Sequence, residues 1–165
     1  MQRVVKILLR GKIKRRLNLL FRIMAKKKFY ITTSIVYTNT PPHIGFALES
    51  IQADVLARYS RLLGEDTFFL TGTDEHGAKI ARAAEGARKK PKAFVDEIAE
   101  KYKKLKEALN LSNNDFIRTT DRIRHWPAVK KVWTGLKESG DIYKKKYNGL
   151  YCVGCEAFIT KKDLA

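Results

Sequence analysis

From Phe29 to Tyr37 the chain is dense in β-branched and aromatic residues, the composition of a pleated, half-buried strand. Thr38-Asn39-Thr40-Pro41-Pro42 breaks it, because tandem prolines lack N–H donors. From Ile44 the period turns helical: Ile51, Val55, Tyr59 and Leu62 recur at three- and four-residue steps, and Gly64 stands where a helix ends in a left-handed residue. Thr67-Phe68-Phe69-Leu70 predicts a second, buried strand. Thr71-Gly72-Thr73-Asp74 is expected to turn out of it, into a helix through Ala78, Ile80 and Ala84. Pro91 opens another helix, at a position where a missing N–H costs nothing. There Phe94, Ile98, Tyr102, Leu105 and Leu109 form a core stripe, with Lys and Glu opposite. Asp115 to Thr119 predicts a third short strand. A last helix runs from about Arg122 to Ser139, with Trp126, Val129, Val132, Trp133 and Leu136 inward, and Gly140 stops it.

Strands alternating with helices predict an α/β fold with a parallel sheet over residues 29–140. Residues 141–165 break that rhythm. They are short-patterned, aromatic and Gly-punctuated, with Cys152 and Cys155 at the centre, and read as the start of an inserted subdomain. The 165 residues are enough for one compact domain with a modest core, and 44% hydrophobic residues exclude a disordered chain. A net charge of +17 suits a polyanionic partner such as RNA. Its distribution matters more. Eleven of the 34 Lys and Arg lie at or before Lys28 and no acid precedes Glu49, so most of the excess sits in a basic extension, residues 1–28.

Charges interrupt every apolar run of that extension, so membrane insertion is not expected, and it lacks the pattern of a secretory signal. Three readings stay open: a basic amphipathic helix for RNA or an anionic surface, a transit-like segment, or a head that is not native, with Met24 as the true start and Ala25 to Lys28 as a short leader. Two cysteines are too few for a disulfide scaffold, which points to a reducing, cytoplasmic setting. Lys101-Tyr102-Lys103-Lys104 reads as a solvated helix face, and Lys144-Lys145-Lys146 as either that or a nucleic-acid contact.

The first candidate chemistry is strand, then Thr40-Pro41-Pro42-His43-Ile44-Gly45, then helix. Ligands of α/β sheets bind at the carboxyl ends of strands, where a helix N-terminus offers free N–H groups to phosphate. Gly45 leaves room for close approach, and His43 can donate to a phosphate oxygen that gains charge. Taken alone, His43 reads rather as a helix-capping histidine in a turn. Cys152-Val153-Gly154-Cys155 has the spacing of half a zinc knuckle, with a redox pair or inert thiols as alternatives.

Residues Ile31 to Gly45, and after them Phe68-Phe69-Leu70-Thr71-Gly72-Thr73-Asp74-Glu75-His76-Gly77, resemble the opening of methionyl-tRNA synthetases. His43-Ile44-Gly45 falls on the HIGH signature of class I synthetases. The resemblance covers about Phe29 to Lys162. It implies a Rossmann-like parallel sheet, the first half of a class I catalytic domain, followed by a zinc-knuckle connective insertion. It also implies ATP-dependent activation of methionine, with Mg, and transfer of the methionyl group to tRNA. His43 and Gly45 would contact ATP, with His43 catalytic; Ile35 and Tyr37 would line the methionine pocket; Asp74 would pair with the α-ammonium. Cys152 and Cys155 would be two of four zinc ligands. Tyr37 as strand core and Asp74 as a helix cap are the plainer alternatives, and Glu75 and His76 read as structural. Phe46 departs from the family's polar residue or His, since it cannot hydrogen-bond a phosphate; the alternative is that it packs inward. The family also needs a second half with a KMSKS loop, so this length alone is expected not to complete aminoacylation. A non-catalytic RNA-binding or accessory fragment and a small HIGH-type nucleotidylyltransferase are the competing readings.

Overall fold

The computed structural model describes residues 26–160. The three readings of the basic extension therefore fall outside the described residues, apart from its border, where Lys27 pairs with Glu65 at 2.8 Å. Strands β1 (Lys28–Thr32), β2 (Val36–Tyr37), β3 (Asp66–Asp74) and β4 (Asp115–Arg118) form one parallel sheet. Between and after them run α1 (Ile44–Leu62), α2 (Ala78–Gly86), α3 (Pro91–Ala108) and α4 (Trp126–Glu138). Strands β5 (Leu150–Cys152) and β6 (Ala157–Ile159) make a separate antiparallel hairpin. Among the described residues no helix is long and apolar enough to cross a membrane.

The single strand expected over 29–37 is two strands on one line. Thr32 pairs with Leu70 but Val36 pairs with Thr73, so the chain takes one more residue than its partner between them, a bulge. Local polar bonds replace the ladder there. The Thr33 hydroxyl meets that of Thr71 at 2.7 Å, and Ser34 donates its N–H (2.5 Å) and hydroxyl (2.8 Å) to Glu49 of α1.

β3 also departs from expectation. It continues through Thr71-Gly72-Thr73-Asp74 rather than turning, because it is paired on both sides: Thr73 faces Val36 across one edge and Arg118 across the other. Gly72 marks the closest approach of β4. A Cβ there would lie 2.2 Å from the Ile117 carbonyl oxygen, so this glycine is a packing requirement and not a turn signal. Asn114 completes the approach, donating its N–H to the Phe69 carbonyl and accepting the Phe69 N–H on its side chain, both at 2.8 Å.

α1 lies close on the sheet because its contact residues are small: Ala53 and Ala57 pack on Phe69 and Ile31. A second cluster, Phe46, Ile80, Ala84, Phe94, Val95, Ile98 and Tyr102, joins α1, α2 and α3. The predicted α3 stripe faces inward through Phe94, Ile98 and Tyr102, with Leu105 and Leu109 half-buried. Lys101 and Lys103 sit on its solvated side, paired with Glu97 (2.9 Å) and Glu100 (3.7 Å). Two stripes need correction. On α1, Ile51, Val55, Tyr59 and Leu62 are 42 to 86% exposed; the inward face is Phe46, Ser50, Ala53, Asp54, Ala57 and Ser60. Asp54 is tolerated there because it accepts from Ser112 N–H and Arg58 Nε, both at 2.6 Å. On α4, which starts at Trp126, no residue is buried, because no described element covers the face of Val129, Val132, Trp133 and Leu136. The strand over Thr67–Leu70 is buried on one face only; on the other, exposed Phe68 stacks with exposed Tyr30 (ring centroids 6.0 Å apart).

Candidate active site at the carboxyl ends of the strands

Parallel strands bring their carboxyl ends to one edge of the sheet, and there the fold gathers Tyr37, Asp74 and the start of α1. Tyr37 and Asp74 are register partners at the last positions of β2 and β3. Fully buried Thr38 fixes that pairing by donating its N–H (3.1 Å) and hydroxyl (3.3 Å) to the Asp74 carbonyl. Tyr37 is 37% exposed and is not strand core. Its hydroxyl donates to the Glu156 carboxylate, which holds the phenol above its ordinary pKa. Ile35 lies in the bulge two residues earlier, exposed.

Asp74 does not cap α2. That role falls to Gly77, at φ +124, which makes no side-chain cap bond. The backbone there calls for glycine; the space alone would admit a Cβ, 3.4 Å from the Tyr37 hydroxyl. The half-buried Asp74 carboxylate has only long bonds, from His76 N–H (3.5 Å) and the Thr119 hydroxyl (3.4 Å), both to Oδ1. It is therefore available to a cation. Glu75 behind it is engaged on all sides. Its fully buried carboxylate accepts from Arg118 Nε (2.6 Å) and Nη2 (2.9 Å), from Thr73 Oγ1 (2.7 Å) and from the Thr120 hydroxyl. Arg118 reaches on to Asp96 of α3 at 2.5 Å. The neighbouring carboxylates thus have separate roles, one structural and one open. A cleft of about 270 Å³ opens beside them, lined by His76, Thr119, His125, Trp126, Val129 and Lys130.

His43 is the N-cap of α1, its Nδ1 accepting the Gly45 N–H at 3.1 Å. That bond fixes the tautomer: Nδ1 carries no proton, so Nε2 is the donor nitrogen of the exposed ring. Capping and donation to a ligand therefore use different atoms of one side chain. A Cβ on Gly45 would lie 2.9 Å from His43 Cε1, so a larger residue there would push the ring out of its capping position. Phe46 points into the core, 5% exposed and edge-on to Tyr102 with centroids 5.2 Å apart. It is the inward alternative of the sequence reading that the fold adopts.

Residues 29–165 match the family described as tRNA synthetases class I (M). The chain belongs to this family. It is 54% identical over 137 residues to the methionine–tRNA ligase of Thermotoga maritima, covering 83% of this chain and 22% of that protein. It is 49% identical over 141 residues to that of Clostridium tetani, covering 86% and 22%. Among solved structures, Mycobacterium tuberculosis methionyl-tRNA synthetase in complex with methionyl-adenylate superposes with a TM-score of 0.78 at 43% identity, covering 82% of this chain and 26% of that one. The chain spans about a fifth of the length of the curated relatives it matches.

In this class I synthetase segment the hairpin β5–β6 carries both cysteines as free thiols. Cys152 Sγ accepts the Cys155 N–H at 3.3 Å, and the two thiols share a hydrogen bond that lowers the Cys152 pKa and raises that of Cys155. Two thiolates are half of a closed zinc site, which takes four ligands. Among the described residues no three His, Cys, Asp or Glu cluster around them, so the described residues alone do not fit a complete site. Glu156, next to Cys155, is used otherwise: it accepts the Lys79 N–H at 3.0 Å and so serves the open start of α2. Glu156 and Thr119 are site residues that sequence reading did not find. Their contacts span 77 and 45 residues of chain, and no local spacing encodes them.

Proposed function

We propose that the whole protein activates methionine with ATP and attaches it to tRNA, and that this chain carries the methionine side of the site. One observation carries the reading: the Asp74 carboxylate stands open beside Tyr37 at the carboxyl ends of β2 and β3. In the reaction the methionine carboxylate attacks the α-phosphorus of ATP and pyrophosphate leaves; the methionyl group then passes to the tRNA 3′ end as AMP leaves. Asp74 takes the α-ammonium. Tyr37 and Ile35 take the thioether side chain, since an aromatic ring suits sulfur. His43 Nε2 donates to a phosphate oxygen, and Gly45 lets the nucleotide approach. Little covalent chemistry falls to the protein, so positioning and charge stabilisation are its contribution. ATP would enter as its magnesium complex, the metal offsetting phosphate charge.

On this reading residues 29–140 are the Rossmann-like nucleotide-binding half and 141–165 open the connective insertion. Cys152 and Cys155 are half of its zinc knuckle, and exposed Lys144 to Lys146 face the tRNA acceptor end. The setting is cytoplasmic.

The test is ATP–pyrophosphate exchange in a hybrid, the Thermotoga maritima ligase with its matching 137 residues exchanged for those of this chain. Exchange is expected with methionine and not with leucine, isoleucine or valine. A folded hybrid that exchanges none of them supports the accessory RNA-binding reading instead. The two duties of His43 separate in the same hybrid. His43→Ala is expected to cost about 1 kcal/mol of stability as a lost cap. His43→Asn restores the cap without the Nε2 donor, so melting recovers while the exchange rate stays low.

A further inference from the structure

Asp74 Oδ1 and the Glu75 backbone N–H meet at one atom, the hydroxyl oxygen of Thr119. Thr119 directly follows β4 and is buried, 8% exposed. Its backbone is held from two sides: its N–H donates to the Thr73 carbonyl (3.2 Å), and its carbonyl accepts the Trp126 indole N–H (3.1 Å). Its Oγ1 accepts the Glu75 N–H at 2.8 Å. A hydroxyl that accepts there has its single proton free to donate, and Asp74 Oδ1 is 3.4 Å away. The Glu75–Arg118 pair anchors this arrangement, because the N–H that orients the hydroxyl belongs to the residue Arg118 clamps. Both bonds to the Asp74 carboxylate fall on Oδ1; among the described residues Oδ2 receives none.

We propose that Thr119 is a positioning residue of the amino-acid site: its hydroxyl holds Asp74 Oδ1 so that Oδ2 faces the substrate's α-ammonium. The inference rests on the proposed role of Asp74. It assigns a function to a residue at the end of the third column of the sheet that makes no contact with substrate itself. A hydrogen bond to a charged group that sets the orientation of an ion-pairing oxygen affects binding of that ion and leaves the nucleotide alone.

The test compares Thr119→Val, which keeps the shape, with Thr119→Ser, which keeps the hydroxyl, in the hybrid synthetase. Thr119→Val is expected to raise the methionine KM about tenfold, with kcat and the ATP KM within about twofold. Thr119→Ser is expected to stay within about twofold throughout. A merely structural threonine would move melting temperature and all kinetic constants together. Equal behaviour of the Val and Ser variants overturns the proposal, as does a methionine KM unchanged in Thr119→Val. If Thr119→Val does not fold, Thr119→Ala removes the hydroxyl without added bulk and gives the same comparison. Asp74→Ala runs alongside: if it leaves the methionine KM unchanged, the reading of the site fails; if it raises that KM while Thr119→Val does not, only the role of Thr119 fails.

Discussion

Asp74→Ala in the hybrid synthetase is expected to weaken methionine about a hundredfold, near 3 kcal/mol, while the ATP KM stays within about twofold. The size follows from what the carboxylate does. It is half-buried beside Tyr37, so an ammonium paired with it gives up water and relies on that charge. Removing the carboxylate leaves the ammonium desolvated without a partner, which costs more than the pair itself contributes. The selectivity follows from geometry. The proposed nucleotide contacts, His43 and Gly45, lie at the start of α1, on a different element. Steady-state exchange kinetics with each substrate varied in turn measure the split. Equal loss of methionine and ATP would place Asp74 in the frame of the fold and not in the amino-acid site.

Phe46→His, which restores the family's HIGH signature in letters, is expected to destabilise the chain by about 3 kcal/mol or more and to gain nothing in ATP binding. Phe46 fills the junction of α1, α2 and α3 with Ile80, Phe94, Ile98 and Tyr102. An imidazole there is smaller, loses the edge-on contact with Tyr102, and brings two ring nitrogens into an apolar cluster. Equilibrium urea unfolding measures it as a lower midpoint at unchanged slope. An unchanged midpoint with a lower ATP KM would mean that position 46 faces the nucleotide.

What the sequence made legible follows the range of the physics involved. Local patterning located each of the described helices, and Pro91, Gly64 and Gly140 bounded helices where expected, the glycines with φ near +80°. It misjudged α1 because both faces of that helix repeat at helical spacing. Periodicity finds the repeat, while the inward side was chosen by the need for small residues, Ala53 and Ala57, against Phe69. It misjudged Thr71 to Asp74 because glycine signals a turn locally, whereas Gly72 answers to the backbone of β4, distant in sequence. Tyr37, Asp74, His43 and Gly45 were legible as motif residues. Their distant neighbours were not: Glu156 at Tyr37, Thr119 at Asp74 and Arg118 at Glu75 are brought there only by the tertiary fold. The exposed face of α4 marks the opposite case: a stripe at core spacing that no described element covers.

Whether Asp74 and Tyr37 form the amino-acid site of a methionine-activating enzyme is decided by a crystal structure of the hybrid synthetase bound to methionine. The α-ammonium is expected within hydrogen-bond distance of Asp74 Oδ2 and the thioether against the Tyr37 ring. Methionine bound with its ammonium on another acid, and Asp74 turned away, would contradict it.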